Sequence, residues 1–224
     1  MRGELPNGLG CLLEGLPPLL AEQAAEVLAA SAIIEIEPGE PHFRTSFPTA
    51  ALLVVEQGFI VVRASFPPSS RAVITSEAGA GTLLLPPAPD EVLFGFGSSR
   101  VMAISEEHRD QLLTMPAVAQ RMVEQMAFTL GQTQEAIANF AHTRHVERVR
   151  RKLLQLARSY GRVVRDGIRI DFPVSHTVLA EMIGSSRETV TRAVDELQRA
   201  GFVARRGHTY RLLVSPEYVL GARL

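Results

Sequence analysis

Two short amphipathic stretches separated by a single glycine constrain this chain more than any other feature. Residues 176–199 read HTVLAEMIGSSRETVTRAVDELQR, with apolar residues at helical spacing on both sides of Gly184. Ala180 stands four positions earlier, where two crossing helices need a small residue. Ser185 or Ser186 is positioned to cap the second helix. The stretch therefore predicts a helix-turn-helix, whose second helix enters the major groove of DNA.

The leading turns of that second helix carry the polar side chains expected to read bases. Arg187 and Arg192 can pair bidentately with guanine O6 and N7, Glu188 can accept from cytosine N4, and Thr189 lies beside them. The alternative is that these charges form an ordinary solvated helix face. The combination of helical spacing, turn glycine and charge placement favours base reading.

The charge of the chain is split along its length. The formal net charge is only −1, but residues 1–141 hold 7 Lys and Arg against 16 Asp and Glu, and residues 142–224 hold 16 against 8. A basic segment is the electrostatic requirement for contact with DNA phosphates. The DNA-binding module is therefore expected at the C-terminus.

The motif of the second helix also resembles a known family. Ser-Arg-Glu-Thr-Val-Thr-Arg, Ser186 to Arg192, follows Ile183-Gly184 and resembles the recognition helix of the CRP/FNR transcription regulators. In that family the positions matching Arg187, Glu188 and Arg192 read base edges. Asp-Gly-Ile-x-Ile-Asp, Val-Ser-His and Thr-Val-Thr-Arg are similar to the cyanobacterial nitrogen-control regulators of that family. The resemblance covers residues 100–214 by motif and the rest by strand pattern, and it implies RNA polymerase as a further partner.

The first half of the chain has a β pattern. A helix over 19–30 is followed by short apolar runs separated by turn formers, which predict an antiparallel barrel or sandwich. The resemblance implies a double-stranded β-roll, so the predicted class is α+β. The candidate strands cover residues 33–36, 51–56, 59–64, 72–75, 82–85, 92–96 and 101–104, with breaks that include 57–58 and 67–70.

A long helix is predicted to follow, from Pro116 to about Phe140, with a proline well placed at its first position. Its seam is a heptad-like apolar row that serves either a homodimer or packing on its own β domain. A reader of two half-sites needs a twofold partner, which favours the homodimer, and the resemblance implies the same. The seam residues are Val123, Met126, Leu130, Thr133, Ile137 and Phe140.

Residues 142–145 interrupt that seam as a hinge, so the predicted domains are 1–115, 116–144 and 145–224. A helix over 146–160 follows, whose outward Arg148, Arg150, Arg151 and Lys152 either touch phosphate or form an exposed face. Asp166-Gly167 between two apolar runs predicts a hairpin. A second hairpin after Gly201 forms a wing, which makes the module a winged helix-turn-helix. The expected contacts to the DNA backbone are Ser175, Ser186, Arg205, Arg206 and His208.

The N-terminal half departs from the family pattern at the expected effector site. Cyclic-nucleotide binders of that family carry Gly-Glu and, about ten residues later, an Arg that neutralises the phosphate. Here Gly81 is followed by Thr82 and Leu83, and no Arg lies between Gly81 and Arg100. Thr133 and Gln134 complete the candidate effector contacts. The positions matching the 2-oxoglutarate ligands of the nitrogen regulators hold Thr129 and Gln134. We expect either no effector or one less anionic than a cyclic nucleotide.

The remaining composition restricts other functions. A single cysteine, Cys11, excludes a disulfide framework or a four-cysteine cluster within one chain, and no catalytic constellation, cofactor motif or metal motif is apparent. No apolar run reaches membrane-spanning length and no signal-peptide pattern is present, so a cytoplasmic location without membrane contact is expected. The sequence predicts a homodimeric regulator that reads a pseudo-palindromic operator in double-stranded DNA. The alternative is a small-molecule-binding or partner-binding module whose helix-turn-helix is not used on DNA.

Overall fold

The computed structural model describes residues 9–65 and 72–220. The chain has the predicted α+β architecture and divides into two compact units. Within the described residues, the first unit comprises 9–65 and 75–131, and the second comprises 72–74 and 132–220. The predicted break at 67–70 lies outside the described residues.

The first unit is built on an antiparallel sheet with strand order β1-β5-β2-β3, in which β4 also pairs with β2. Two small helices precede the sheet, and α3 and the long α4 follow it. Ser105 caps α3 by accepting a hydrogen bond from the backbone N–H of His108 at 3.2 Å. The elements are α1 Gly10–Leu13, α2 Pro18–Ala29, β1 Ala32–Ile36, β2 Ala50–Ser65, β3 Ala72–Gly79, β4 Leu83–Leu84, β5 Glu91–Ser105, α3 Glu106–Leu113 and α4 Pro116–Phe140.

Two of the predicted strand breaks were wrong. The runs 51–56 and 59–64 form one strand, β2, and the runs 92–96 and 101–104 form one strand, β5. Gly58 and Gly97 have positive φ angles of 84° and 69°, and the β2–β5 register shifts on both sides of Gln57. These glycines therefore sit in irregularities of continuous strands, where a bulge needs their conformational freedom.

Two clusters of buried apolar side chains form the interior of the first unit. One cluster joins the helices to one side of the sheet and includes Leu12, Leu28, Val54, Ile104 and Val118. A second cluster is made mainly of side chains from the strands. Its fully buried members are Ile36, Phe47, Leu53, Val55, Ile60, Leu93 and Val101. The interior of this β domain is therefore a packed hydrophobic core.

The second unit contains the predicted winged helix-turn-helix. Its sheet has the order β6-β7-β9-β8, made of two hairpins, and the first hairpin forms as predicted, with Arg165 and Asp166 in its turn and Gly167 as the first residue of β7. The elements are α5 His145–Tyr160, β6 Gly161–Val164, β7 Gly167–Ile170, α6 His176–Ile183, α7 Arg187–Arg199, β8 Val203–Arg206, β9 Thr209–Leu212 and α8 Pro216–Leu220.

Three helices share the core of this unit because each has one apolar face. The buried residues include Val149, Leu153 and Leu156 of α5, Leu179 and Ile183 of α6, and Val190, Val194 and Leu197 of α7. One outward residue was predicted wrongly: Lys152 is 2% exposed, and its ammonium donates to Gln155 Oε1 at 3.0 Å. Within the described part of the chain, no helix is both long and apolar enough to span a membrane.

Candidate nucleic-acid interface

One serine caps the start of each helix of the motif, and one glycine sets the turn between α6 and α7. Ser175 Oγ accepts from the backbone N–H of Val178 at 3.1 Å, and Ser186 Oγ accepts from that of Thr189 at 3.2 Å. Gly184 ends α6 in the left-handed conformation, with φ 61° and ψ 47°. A serine cap on the second helix was predicted, and Ser186 rather than Ser185 provides it. The geometry sets where the first turn of α7 begins.

The first turns of α7 present three charged side chains to solvent. Arg187, Glu188 and Arg192 are exposed, while the opposite face of the helix is buried. Within the described part of the chain, neither arginine forms an ion pair. Thr189 is half-buried, and its hydroxyl lies 3.0 Å from Ser186 Oγ, so it is engaged with the cap. The arginine donors are therefore available to an external acceptor.

Glu188 is held in its charged form by its position. Backbone N–H hydrogen bonding at the start of α7 lowers the pKa of Glu188, and the Ser186 hydroxyl and the charges of Arg187 and Arg192 lower it further. An ionised carboxylate only accepts hydrogen bonds. Glu188 is therefore suited to a donor such as a base amino group.

His176 joins the two helices of the motif, and sequence reasoning did not single it out. Its Nδ1 lies 2.8 Å from Thr191 Oγ1, and the Thr191 hydroxyl donates to the carbonyl of Arg187 at 2.9 Å. Burial lowers the pKa of His176, and nearby Arg205 lowers it further. The chain Val-Ser-His was noticed only as part of a resemblance, because nothing in the local sequence shows that a side chain at the start of α6 reaches α7.

The wing presents its basic residues unequally. Arg206 and His208 are exposed at the tip, whereas Arg205 is half-buried and its guanidinium lies 5.7 Å from the centre of the Tyr210 ring. Burial raises the pKa of Tyr210 to about 12. Of the three predicted wing contacts, Arg206 and His208 are thus the freest to meet a phosphate.

The end of α4 lies directly against the helix-turn-helix. Arg148 holds the connection between α4 and α5, donating to the carbonyl of His142 at 2.6 Å and to that of Phe140 at 3.0 Å. His145 Nδ1 lies 3.2 Å from Ser185 Oγ in the turn. A Cβ at Gly184 would lie 2.6 Å from Cε1 of Phe140. The hinge residues are therefore part of the packing of the second unit.

The seam residues of α4 differ in exposure. Val123, Leu130 and Ile137 stand seven residues apart and are 66%, 58% and 65% exposed. Met126 packs against the helical core of the first unit, Thr133 is half-buried, and Phe140 lies against Gly184. Half of the predicted seam therefore forms an apolar row that no described residue covers.

The candidate effector residues of the first unit are occupied by internal contacts. Thr82 and Leu83 are buried, and the Thr129 hydroxyl lies 3.1 Å from the carbonyl of Leu83 and 3.1 Å from that of Gln125. Thr133 is half-buried and Gln134 is exposed, both in the second unit. Thr129 is therefore within hydrogen-bonding distance of β4.

Arg100, the first arginine after Gly81, is held by two carboxylates. Its Nη2 lies 3.0 Å from Oε2 of Glu56, which is 2% exposed, and its Nε lies 3.2 Å from Oε1 of Glu35. The two carboxylates offset the charge of this guanidinium, so its attraction for a phosphate is weak. The described part of the chain brings together no three side chains suited to a metal ion.

Comparison with known proteins identifies the class that this geometry defines. Residues 147–217 match the Crp-like helix-turn-helix domain. The chain is 37% identical over 93 residues to the global nitrogen regulator of Synechococcus elongatus and 26% identical over 128 residues to the CRP-like cAMP-activated global transcriptional regulator of Mycobacterium tuberculosis. These matches cover 42% and 56% of this chain and the same shares of the two relatives.

Solved structures extend the likeness in fold to nearly the whole chain. A CooA mutant from Carboxydothermus hydrogenoformans superposes with a TM-score of 0.72 at 17% identity, covering 95% of this chain and 94% of that one. A cyclic nucleotide-binding domain containing protein from Listeria monocytogenes gives a TM-score of 0.74 at 15% identity, covering 87% and 97%. The resemblance to the CRP/FNR regulators is thus confirmed by sequence for the winged helix-turn-helix, and nearly the whole chain shares the fold of these two solved structures.

Proposed function

We propose that this protein is a homodimeric, sequence-specific DNA-binding transcription regulator. The observation that carries the proposal is the joint exposure of Arg187, Glu188 and Arg192 at the leading end of α7. In a helix-turn-helix these positions face the base edges of the major groove. The two arginines read guanine and the glutamate reads cytosine, while Thr189 supports the first turn.

The backbone contacts in this proposal surround the recognition helix. Ser175 and Ser186 lie at the N-termini of α6 and α7, where helix dipoles favour phosphate. Arg206 and His208 reach from the wing, with Arg205 behind them. Such contacts set the position of the protein on the duplex without selecting sequence.

Dimerisation places two such units on one operator. The exposed row of Val123, Leu130 and Ile137 has the seven-residue period of a coiled-coil seam, and a second copy would bury it. Two recognition helices about one turn of DNA apart read a pseudo-palindrome. We place the domain limits at 1–115, 116–144 and 145–224, and RNA polymerase is the expected further partner.

The β domain in this proposal lacks the cyclic-nucleotide phosphate cassette. The pairing of Arg100 with Glu56, the Thr129–Leu83 hydrogen bond and the filled apolar interior all support this view. Among the described residues, an anionic effector would find the guanidinium of Arg100 already paired with two carboxylates. The effector is therefore absent or weakly charged.

The test starts from an operator selected from random-sequence duplexes. Arg187→Ala should weaken binding to that operator by about 1–3 kcal/mol and leave binding to random DNA nearly unchanged. Arg199→Ala, at the far end of the same helix, is the matched control, since its side chain donates to the carbonyl of Asp195 within the helix. Equal losses on both kinds of DNA would refute the role of Arg187. Failure of the wild type to select any operator would refute the function.

A further inference from the structure

Three arginines lie in one row across the outer face of the second sheet. Arg162 of β6 is paired in register with Arg169 of β7, and Arg169 is paired with Arg211 of β9. Their neighbours along the strands, including Ile168, Ile170 and Leu212, are buried on the opposite face. Because side chains alternate across a strand, the three guanidiniums share the solvent side. We call this set the arginine row.

Such a row costs the sheet stability. Side chains directly opposite each other have Cβ atoms about 5 Å apart, and like charges at that distance repel. Asp171 lies 3.3 Å from Nε of Arg162 and 2.8 Å from Nε of Arg169, and Asp166 lies 2.6 Å from Nη1 of Arg211. Two carboxylates thus form ion pairs with three guanidiniums. The side chains of Arg162, Arg169 and Arg211 are 70%, 43% and 39% exposed. Excess positive charge and free donors remain on this face.

Two further arginines extend the row into a groove. Arg165, at the β6–β7 turn, and Arg206, at the end of β8, line the same groove of about 520 Å³ as Arg169 and Arg211. Tyr210 of the central strand β9 is fully buried, so its ring is not available to stack on a base. The groove is therefore suited to an extended anion rather than to unpaired nucleobases.

We propose that the arginine row binds the phosphate backbone of the DNA that flanks each half-site. The inference rests on the proposed function. Arg206 lies at the wing tip, where the backbone of the operator is expected, and it borders the same groove as the row. Neighbouring strands are about 4.8 Å apart, so the row extends roughly 10 Å and reaches more than one phosphate. DNA leaving the half-site past the wing meets this face next.

The experiment compares two duplexes of the selected operator, one trimmed to the site and one extended by about ten base pairs on each side, a length near one helical turn. Binding is measured by fluorescence anisotropy over a range of salt concentrations. The wild type should bind the extended duplex more tightly. Arg169→Gln/Arg211→Gln should abolish that gain, raise the Kd for the extended duplex roughly tenfold or more at low salt, and flatten the salt slope by about 2–4, since each lost phosphate contact removes about 0.9.

Two further variants separate charge from folding. Arg169→Lys/Arg211→Lys keeps the positive charges and should keep the salt slope. Arg109→Gln/Arg121→Gln removes two arginines of the first unit that are also paired with carboxylates, Asp110 and Glu124. This variant should bind both duplexes with the affinity of the wild type. Thermal unfolding of each variant confirms that it is folded, and in the glutamine variant the removal of the repulsion should offset most of the loss of the exposed ion pairs with Asp171 and Asp166.

Each outcome decides the inference. The inference is supported if the glutamine variant, but neither the lysine variant nor the control variant, loses the tighter binding of the extended duplex. A variant that keeps the gain and the salt slope overturns it, and so does a variant that loses only the binding of purified RNA polymerase, since the face would then bind an acidic protein surface. If the wild type prefers no operator sequence, the proposed function has failed first, and this is seen before any variant is compared.

Discussion

Phe140 and Gly184 are in contact at a distance that leaves no room for a side chain at position 184. A Cβ built on Gly184 would lie 2.6 Å from Cε1 of the Phe140 ring. Phe140 is the last residue of the long helix α4, and Gly184 is the turn residue that sets the start of α7. A shift at the end of α4 therefore acts on the recognition helix through one pair of residues, without an intervening layer.

Gly184→Ala should destabilise the second unit through both strain and contact. The positive φ of 61° costs an alanine about 1 kcal/mol, and the clash with Phe140 adds to it, for a total of about 2–3 kcal/mol in urea unfolding. Gly201→Ala is the matched control, because Gly201 has a φ of 70° but nothing within 4 Å of the added carbon. The two substitutions should therefore differ in their loss of unfolding free energy only by the clash with Phe140. Equal costs would mean that Phe140 yields freely.

Ile137→Glu should disrupt the proposed dimer. Ile137 is 65% exposed in one copy, and a glutamate there would place two charges in the apolar seam of a twofold dimer. We expect the dimer Kd, measured by analytical ultracentrifugation, to rise by at least about tenfold. Leu19→Glu is the control, since Leu19 of α2 is equally exposed at 68% and lies outside the seam. A variant that stays dimeric would place the interface elsewhere.

Arg100→Gln should destabilise the first unit because it leaves the carboxylate of Glu56 buried without its partner. The cost is about 3 kcal/mol, the lower part of the range for a buried pair, since Arg100 itself is 38% exposed. Glu56→Gln/Arg100→Gln should recover most of that loss in thermal unfolding. Arg109→Gln, which breaks an exposed pair with Asp110, should cost under about 1 kcal/mol. A double variant no more stable than the single one would contradict this account.

His176→Gln should reduce the loss of stability in weak acid. The pKa of His176 is lowered by burial and by Arg205, so the unfolded chain takes up the proton at a higher pH than the folded one. Protonation therefore favours unfolding as pH falls below about 6.5, and no such effect exists above it. Unfolding temperatures between pH 7 and pH 5 should fall less for the variant than for the wild type. The same substitution at exposed His208 serves as control, and an unchanged slope for His176→Gln would count against the mechanism.

The helices could be predicted closely because their signals are local. Pro116 and the serine caps fix where helices begin, and apolar spacing identifies the buried faces, so α4 runs over the predicted 116–140. The continuity of β2 through 57–58 and of β5 between 96 and 101 could not be predicted, since a glycine in a bulge and a glycine in a turn look alike until the partner strand is known. The burial of Lys152 was also missed, because helical spacing placed its side chain outward and the packing around α5 is defined by the fold.

The continuous pairing of β2 with β5 also governs how the chain reaches its fold. Ala50 pairs with Ser105 and Ala64 with Glu91, so every rung of this ladder joins residues far apart in the sequence. The sheet of the second unit instead begins from two hairpins with tight turns. Loop closure is costly before distant pairs form, so the first unit should acquire its structure more slowly than the second. During synthesis the β domain therefore stays incomplete until residue 105 has left the ribosome, although it is translated first.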